Sequence, residues 1–552
     1  MKNLYIVCVI FFLSDGLSLS SAETVHERVF VYTDKECYVA GEDIRMKFCV
    51  MTPDLKPSTL SKVGYIEISD TQKPHLQLKL ALKNGSGSGK VKIASHIPSG
   101  IYELSGYTGY MRNEDAGVVF KRKIAILNPG QKPEPGRAVL LEGSLPVKIP
   151  SQTQGNIKIK TDKNTYRERE QVVLSLENLS QGLSEIVVSV KRNDPFASIE
   201  SVDNDKWLRQ VKTASGTLSG KWLPEYEGHI VTGAFTDNAE RGISTGLSVV
   251  GNKRGFVAGQ TDFEKGISSF YTTEIYGPQE IVTSVTNLAT KELPNQLTVV
   301  SPFANYLPES LPELQVQVDT NLLSGRYLAA QLTPDSIDLS SQAVPESNYY
   351  TPTYHYDLNQ YTRFPTLSET ILEFVYTVKI TKVNNERKFR VYSGEVDGFT
   401  STNTLVLLDG IPVFEQENMV NYNPFLLRKL EIFDGRYVYG DRVYDCILSF
   451  TTHNQDLSSY QLGQGSLLFK YDFPFLPVPF TTPDYSDENL RNSRKPDFRH
   501  TLYWNPEVKI ETGKPLDLSF YTSDLKGNFE VSVEGITSEG KMVSEKSCFE
   551  VR

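Results

Sequence analysis

VFVYTDKECYVAGEDIRMKFCV (29–50) returns without a gap as IKIKTDKNTYREREQVVLSLEN (157–178). Thr33-Asp34-Lys35 stands over Thr161-Asp162-Lys163, Tyr38 over Tyr166, and Glu42 over Glu170. After the shared Glu, apolar residues alternate with polar ones: Ile44, Met46 and Phe48 in the first copy, Val172, Leu174 and Leu176 in the second. A period of two marks a strand with one buried face, because successive side chains leave a strand on opposite sides. The segment reads as a strand, an Asp-Lys turn, a second strand anchored by Tyr, and a third, alternating strand. Its recurrence implies two copies of one β-sandwich module. Gly41 lies in the turn before the third strand, where positive φ costs Gly little. Arg169 holds that place in the second copy, which predicts a different turn. The motif is a fold determinant and carries no chemistry of its own.

Upstream, Lys2, the apolar run Leu4–Leu13 and the small residues Ser20-Ser21-Ala22 form a tripartite signal peptide over 1–22, with cleavage expected after Ala22. The apolar run is too short to span a bilayer, and no later segment is long and apolar enough to do so as a helix. Over the whole chain of 552 residues, about four or five domains are expected at roughly 100–150 residues each. Charged residues are 22% and hydrophobic residues 39%, an ordinary globular balance, and 29 Tyr with 27 Phe favour strands. A net charge of −10 argues against nucleic acid as a partner, because phosphate binding needs clustered Lys and Arg. Past the signal peptide, Cys37, Cys49, Cys446 and Cys548 match no metal or redox spacing. Export permits disulfides, Cys37 with Cys49 for instance, and free buried thiols are the alternative.

The first module continues with strands near Gly89–Ile93 and Gly100–Leu104. It resembles the MG2 domain of macroglobulins, and residues 23–128 fit one such domain. Residues 129–154 hold a Pro- and Gly-rich linker. A more divergent macroglobulin-like unit occupies 155–223. Residues 224–322 open with Gly228-His229-Ile230-Val231-Thr232-Gly233, turn over Thr261–Gly266, and resume a strand at Phe270-Tyr271. They resemble the small β-sandwich of carboxypeptidase-regulatory type.

Residues 350–455 change character. Thr366-Leu367-Ser368-Glu369 is a capping box, and Leu367, Ile371, Phe374 and Val375 follow helical spacing. Strands over 376–383 and 388–392 meet through Asn384-Asn385, and TLVLLDGIPV (404–413) places a buried strand before an Asp409-Gly410 turn. LLDGIPV, RKLEIF, VYG and ILSFTT, in that order, resemble the plug domain of TonB-dependent outer-membrane receptors. Asp445-Cys446 departs from that pattern, which usually has Gly in the cysteine position, so a rebuilt turn is expected there. The plug-like unit is expected to lack a barrel of its own, since the stretch after Thr452 is far too short for one. Residues 498–552 read as a last, short macroglobulin-like unit that can borrow strands from upstream. The fold class expected is mainly β: tandem macroglobulin- or Ig-like β-sandwiches with one small α+β plug-like domain.

Macroglobulins trap proteases through a thioester formed in Cys-x-Glu-Gln, and none of these cysteines begins that motif. No HExxH is present, no nucleophile elbow is expected although Gly242-Ile243-Ser244-Thr245-Gly246 fits the bare GxSxG spacing, the seven histidines are scattered, and His453 reads as a strand-end residue. Asp484, Asp487 and Glu488 read as a solvated acidic loop rather than a calcium site. No catalytic residue, cofactor or metal is therefore expected. The expectation is a non-enzymatic binding scaffold of a Gram-negative cell envelope, periplasmic or associated with the outer membrane and its transport, with an envelope protein as partner. The candidate interaction surface is Phe414, Glu417, Met419 and Val420, in the segment after DGIPV; the competing reading packs these apolar groups beneath a short helix. The alternative function is a thioester-less, protease-binding protein with an exposed bait segment at 336–361.

Overall fold

The computed structural model describes residues 25–143, 156–179, 184–193, 199, 202, 204–214, 216–236, 241–251, 255–287, 291–294, 297–332, 351–394, 397–400, 402–440, 442–537 and 542–552. These residues are mainly β, arranged as tandem β-sandwiches with a smaller α+β unit. The signal peptide and its cleavage site lie outside them.

The repeated segment forms the strands that its alternation predicts. Arg28–Thr33 pairs antiparallel with Asp43–Met51, which pairs with Ser86–Lys92. The facing sheet runs Cys37–Val39, Phe120–Leu127, Gly100–Thr108, Val63–Ser69, Pro74–Ala81, its first pair parallel. Ile44, Met46 and Phe48 are fully buried between the sheets, each such side chain stabilising the fold by about 1.5–3 kcal/mol. The other face of Asp43–Met51 is not simply solvated. Lys47 is buried as well, and its ammonium donates to Glu507 Oε1 at 2.9 Å, with Glu185 at 3.4 Å. Both carboxylates come from the second sandwich.

Two helices close the first sandwich. α1 (Asn204–Lys212) buries Trp207 and Val211 against its core, and Trp207 Nε1 donates to the Val29 carbonyl at 2.8 Å. α2 (Thr320–Leu332) packs beside Cys37–Val39. Part of the expected linker is ordered. Ala138–Glu142 pairs in parallel with Leu314–Val318, and Ala138, Leu314, Val316 and Leu323 share a core with Val39 and Leu127.

The stretches 155–223 and 498–552, separate units on the sequence, are two halves of one sandwich. One sheet runs Ile157–Thr161, Gln171–Asn178, Leu516–Tyr521; the other runs Thr165–Tyr166, Met542–Val551, Gly527–Thr537, Ser184–Arg192, Thr501–Ile510. The reason is pairing: Gln171–Asn178 has a backbone partner on one side only until Leu516–Tyr521 supplies the other. The third sandwich is also discontinuous. Its two sheets use strands between 230 and 299, and Ser466–Asp472 adds an edge strand beside Pro278–Asn287. Its sequence boundary at 322 therefore falls in a segment that belongs to the first sandwich.

The α+β unit holds a five-stranded sheet, Tyr354–Asp357, Leu427–Tyr439, Arg442–Thr452, Thr404–Leu408, Ile411–Pro412, in which Thr404–Leu408 runs parallel to Arg442–Thr452. α3 (Leu367–Phe374) begins with the expected capping box, Glu369 N–H donating to Thr366 Oγ1 at 3.2 Å and Thr366 N–H to Glu369 Oε2 at 3.3 Å. Asn384 and Asn385 take φ of 52° and 70° and join Val378–Val383 to Glu386–Ser393. No rebuilt turn exists at Asp445-Cys446. Cys446 lies within a strand, paired with Thr404 and buried, because the neighbouring strand extends the sheet past the position expected to end it. The whole is nested: the α+β unit lies between strands of the third sandwich, and the third sandwich between strands of the second.

Candidate interaction site

The segment after DGIPV is a short helix, α4 (Gln416–Val420), laid on the α+β core. Met419 and Val420 are fully buried there among Phe389, Ile411 and Leu427. They are not part of a surface, because a one-turn amphipathic helix turns its apolar pair inward once a sheet lies beneath it. Glu417 faces the other way, and its carboxylate accepts from Arg387 N–H and from Arg387 Nε, both at 2.8 Å. Phe414 is half-buried. This unit leaves several apolar groups in solvent, Phe425, Val438 and Val443 among them, and the most exposed are at the end of α3, where Leu372 is 80% and Tyr376 81% exposed.

A second cluster, missed in the sequence, lies where the third sandwich meets the first. Three crossings of the chain converge on the first sandwich: 225–230 leading into the third sandwich, 303–306 leading away from it, and 471–475 returning toward the second. Glu225 accepts from the Tyr65 hydroxyl at 2.9 Å, from His229 Nδ1 at 2.7 Å and from Ile230 N–H at 2.9 Å. With the proton on Nδ1, His229 Nε2 accepts from the Tyr471 hydroxyl at 2.6 Å. The Lys79 ammonium lies 3.5 Å from the same Nε2 and 3.9 Å from the Tyr471 ring centroid. Tyr107 donates to Glu67 at 2.6 Å and accepts from Ala304 N–H at 2.8 Å. Phe475 N–H donates to the Lys79 carbonyl at 2.8 Å.

Lys79, Glu225 and His229 are each buried. Burial pushes the Lys79 ammonium down to about 7, against the pull of Asp472 and Glu225. Burial and the neighbouring Lys79 hold His229 below its ordinary value, against Glu225. These residue types suit acid–base chemistry, but the cluster is sealed. Clefts of about 640 Å³ and 410 Å³ on the described surface are lined by other residues. In the larger one Arg28 is already paired with Glu114, both bonds at 2.8 Å. The sequence signal for the cluster was the Glu225-to-His229 spacing just ahead of a strand; its partners are remote in the chain.

The remaining sequence candidates have structural roles. Asp487 caps the turn that follows it, accepting from Asn489 N–H at 2.8 Å, and Asp484 accepts from Ser486 N–H at 2.9 Å. Among the described residues no group of His, Cys, Asp and Glu is placed to hold a metal ion, and no helix is long and apolar enough to cross a membrane. Among the described residues Cys37, Cys49, Cys446 and Cys548 form no disulfide, and Cys446 is buried. His453 is exposed at a strand end. Of the expected bait segment, 336–350 lies outside the described residues, and the rest holds the strand Tyr354–Asp357.

No family model and no curated protein sequence matches this chain. Among solved structures it is similar to trypsin-activated alpha-2-macroglobulin from Escherichia coli, at 9% identity and a TM-score of 0.24, over 95% of this chain and 41% of that one. Salmonella alpha-2-macroglobulin reacted with methylamine gives 7% identity and a TM-score of 0.16, over 95% and 23%. The D0-D1 domain of intimin gives 10% identity and a TM-score of 0.15, over 52% and 96%. The chain spans less than half the length of these alpha-2-macroglobulins. With TM-scores of this size the fold class rests on the chain's own sheets, which define a protein of tandem β-sandwiches.

Proposed function

We propose that this chain is an exported, non-enzymatic binding scaffold of the bacterial cell envelope, whose sandwiches hold the α+β unit out toward an envelope partner. One observation carries the reading: the α+β unit is the innermost of the nested insertions, spliced between strands of a sandwich that is itself an insertion. Insertion into a complete host is how a fold gains a binding module without disturbing its own core. The plug-like pattern of this unit makes an outer-membrane β-barrel protein the partner class. The contact face moves from Met419 and Val420, which are buried, to the end of α3 around Leu372 and Tyr376. Exposed apolar groups of this size are typical of contact surfaces.

The test is a photoreactive residue in place of Tyr376 in whole cells. A discrete crosslink to an outer-membrane barrel protein is expected, and its absence would sink the docking reading. A crosslinked protease would turn the reading to the thioester-less, protease-binding alternative.

A further inference from the structure

We infer that docking of the third sandwich on the first is proton-controlled at the Glu225–His229–Lys79 junction, closed while the imidazole is neutral and released when it is charged. The argument starts from hydrogen-bond direction. In the closed arrangement the two ring nitrogens of His229 have opposite duties: Nδ1 donates to Glu225, and Nε2 accepts from Tyr471 while facing the Lys79 ammonium at 3.5 Å. A neutral imidazole meets both duties. A charged one has two N–H donors and no acceptor. The Tyr471 hydroxyl can turn from donor to acceptor, but the charged ring would still face the Lys79 cation.

The surroundings offset that charge only in part. The strand Val63–Ser69 contributes Tyr65 and Glu67, and Gly100–Thr108 contributes Tyr107. Pro74–Ala81 contributes Lys79, and the crossing at 225–230 contributes Glu225. The strand Ser466–Asp472 contributes Tyr471 and Asp472. Glu67 is already held by Tyr107, Gln77 and Asn305 N–H. Glu225 already accepts three hydrogen bonds and is the carboxylate in contact with the ring. Phe473 and Phe303 close the cluster with apolar rings, Phe303 edge-on to Tyr65 and Phe473 edge-on to His229. Below about 7, where Lys79 is charged, protonating His229 sets buried like charges against each other at this distance, and separation of the two sandwiches relieves them. Because the α+β unit is carried by the third sandwich, release would free these two to move together, while α1, Leu314–Val318 and α2 stay on the first sandwich. The inference rests on the junction alone and stands whatever the α+β unit binds.

The experiment uses the full chain with a donor–acceptor dye pair at Gln72 on the first sandwich and Lys265 on the third, both exposed. Transfer efficiency is followed from pH 8 to pH 5, with far-UV circular dichroism as the check on folding. A reversible drop of at least twofold, at unchanged dichroism, is expected. Lys79→Met should lower the midpoint of that drop by at least one pH unit. His229→Gln, which keeps one donor and one acceptor but cannot take a proton, should remove the drop. A wild-type signal independent of pH, or a Lys79→Met midpoint equal to wild type, would overturn the inference.

Discussion

The first and second sandwiches share one topology, strand for strand, and differ in what fills a single hairpin. In the first, Ser69 and Pro74 are joined by a tight turn in which Asp70 accepts from Gln72 N–H at 2.7 Å and Lys73 N–H at 2.9 Å. In the second, the equivalent strands stop at Arg192 and resume at Thr501, and everything between issues from the turn. The neck stays zipped, with Arg192 N–H donating to the His500 carbonyl at 2.8 Å. A hairpin tip tolerates insertion because pairing below it fixes both strand ends, and closing a longer loop costs little more entropy than closing a short one.

The repeated motif teaches the same lesson on a smaller scale. In both copies the Asp accepts from the Tyr hydroxyl, at 2.8 Å in Asp34 and 2.7 Å in Asp162. In both, the Tyr oxygen accepts from the Lys backbone N–H, and the Lys ammonium pairs with the Glu. The turn is also the same, contrary to the expectation from Arg169. Gly41 has φ of 92° and Arg169 has φ of 55°. Arg169 is held there by its guanidinium, bonded to both Asp524 oxygens at 2.7 Å and to the carbonyls of Arg491 and Ser493. The surroundings differ. Asp34 is fully buried and also accepts from Thr501 of the second sandwich at 3.1 Å, whereas Asp162 and Lys163 face solvent. Arg326 of α2 donates to both oxygens of Glu42, at 2.7 and 2.8 Å. Nothing comparable covers Glu170 among the described residues.

That contrast can be broken by mutation. Arg326→Met should cost the most, about 3–5 kcal/mol in urea unfolding, because it strands a buried carboxylate. A loss under 1 kcal/mol would mean that Lys35 alone suffices. Tyr38→Phe should follow at about 1–3 kcal/mol, since a buried Lys35 N–H loses its acceptor, while Tyr166→Phe should cost about 0.5–1.5 kcal/mol. Equal costs would erase the distinction between the copies. Lys163→Met should leave the urea midpoint where it is, as exposed pairs contribute little.

Acid sharpens the comparison further. Burial opposes ionisation of Glu42, but Arg326 and Lys35 outweigh it and hold the carboxyl well below its ordinary value of 4.5. A carboxyl lowered on folding adds stability above its unfolded value, and that stability is lost as pH falls below it. Glu42→Gln should therefore flatten the fall in melting temperature from pH 5 downward. Glu170, lowered by hydrogen bonds from Lys163 and from Arg167 N–H and largely solvated, should show a smaller effect on the same substitution. At the other junction the sign differs. Lys79 is a base lowered on folding, so its cost accumulates as pH falls from its ordinary 10.5 to about 7 and is constant below.

What the sequence disclosed is what neighbouring residues encode. The alternation of Ile44, Met46 and Phe48, the box at Thr366 and the turn at Asn384-Asn385 are each written within a few residues, and each forms as read. The nesting is not written locally. Val172 pairs with Phe520, and Ile281 with Phe469, and no periodicity in either strand announces so distant a partner. The interaction surface failed for a related reason. Met419 and Val420 are equally consistent with a sticky loop and a helix underside until the sheet beneath them is known. The junction cluster draws Tyr65, Lys79, His229 and Tyr471 from four separate segments, so no single window displays it.

Nesting also sets the order in which parts can be finished as the chain leaves the ribosome. The α+β unit has all its strands once Thr452 has emerged, the third sandwich waits for Asp472, and the second for Val551. Completion thus runs like a stack, the last structure begun being the first to close. Meanwhile Gln171–Asn178 stands with one edge unpaired throughout the synthesis of everything inserted after it. A bare edge is a template for mispairing with another chain. The alternating Ser175 and Glu177 place polar groups on the solvent side of that strand, and Lys158 and Lys160 charge its neighbour, which is how an unfinished sandwich can wait without sticking.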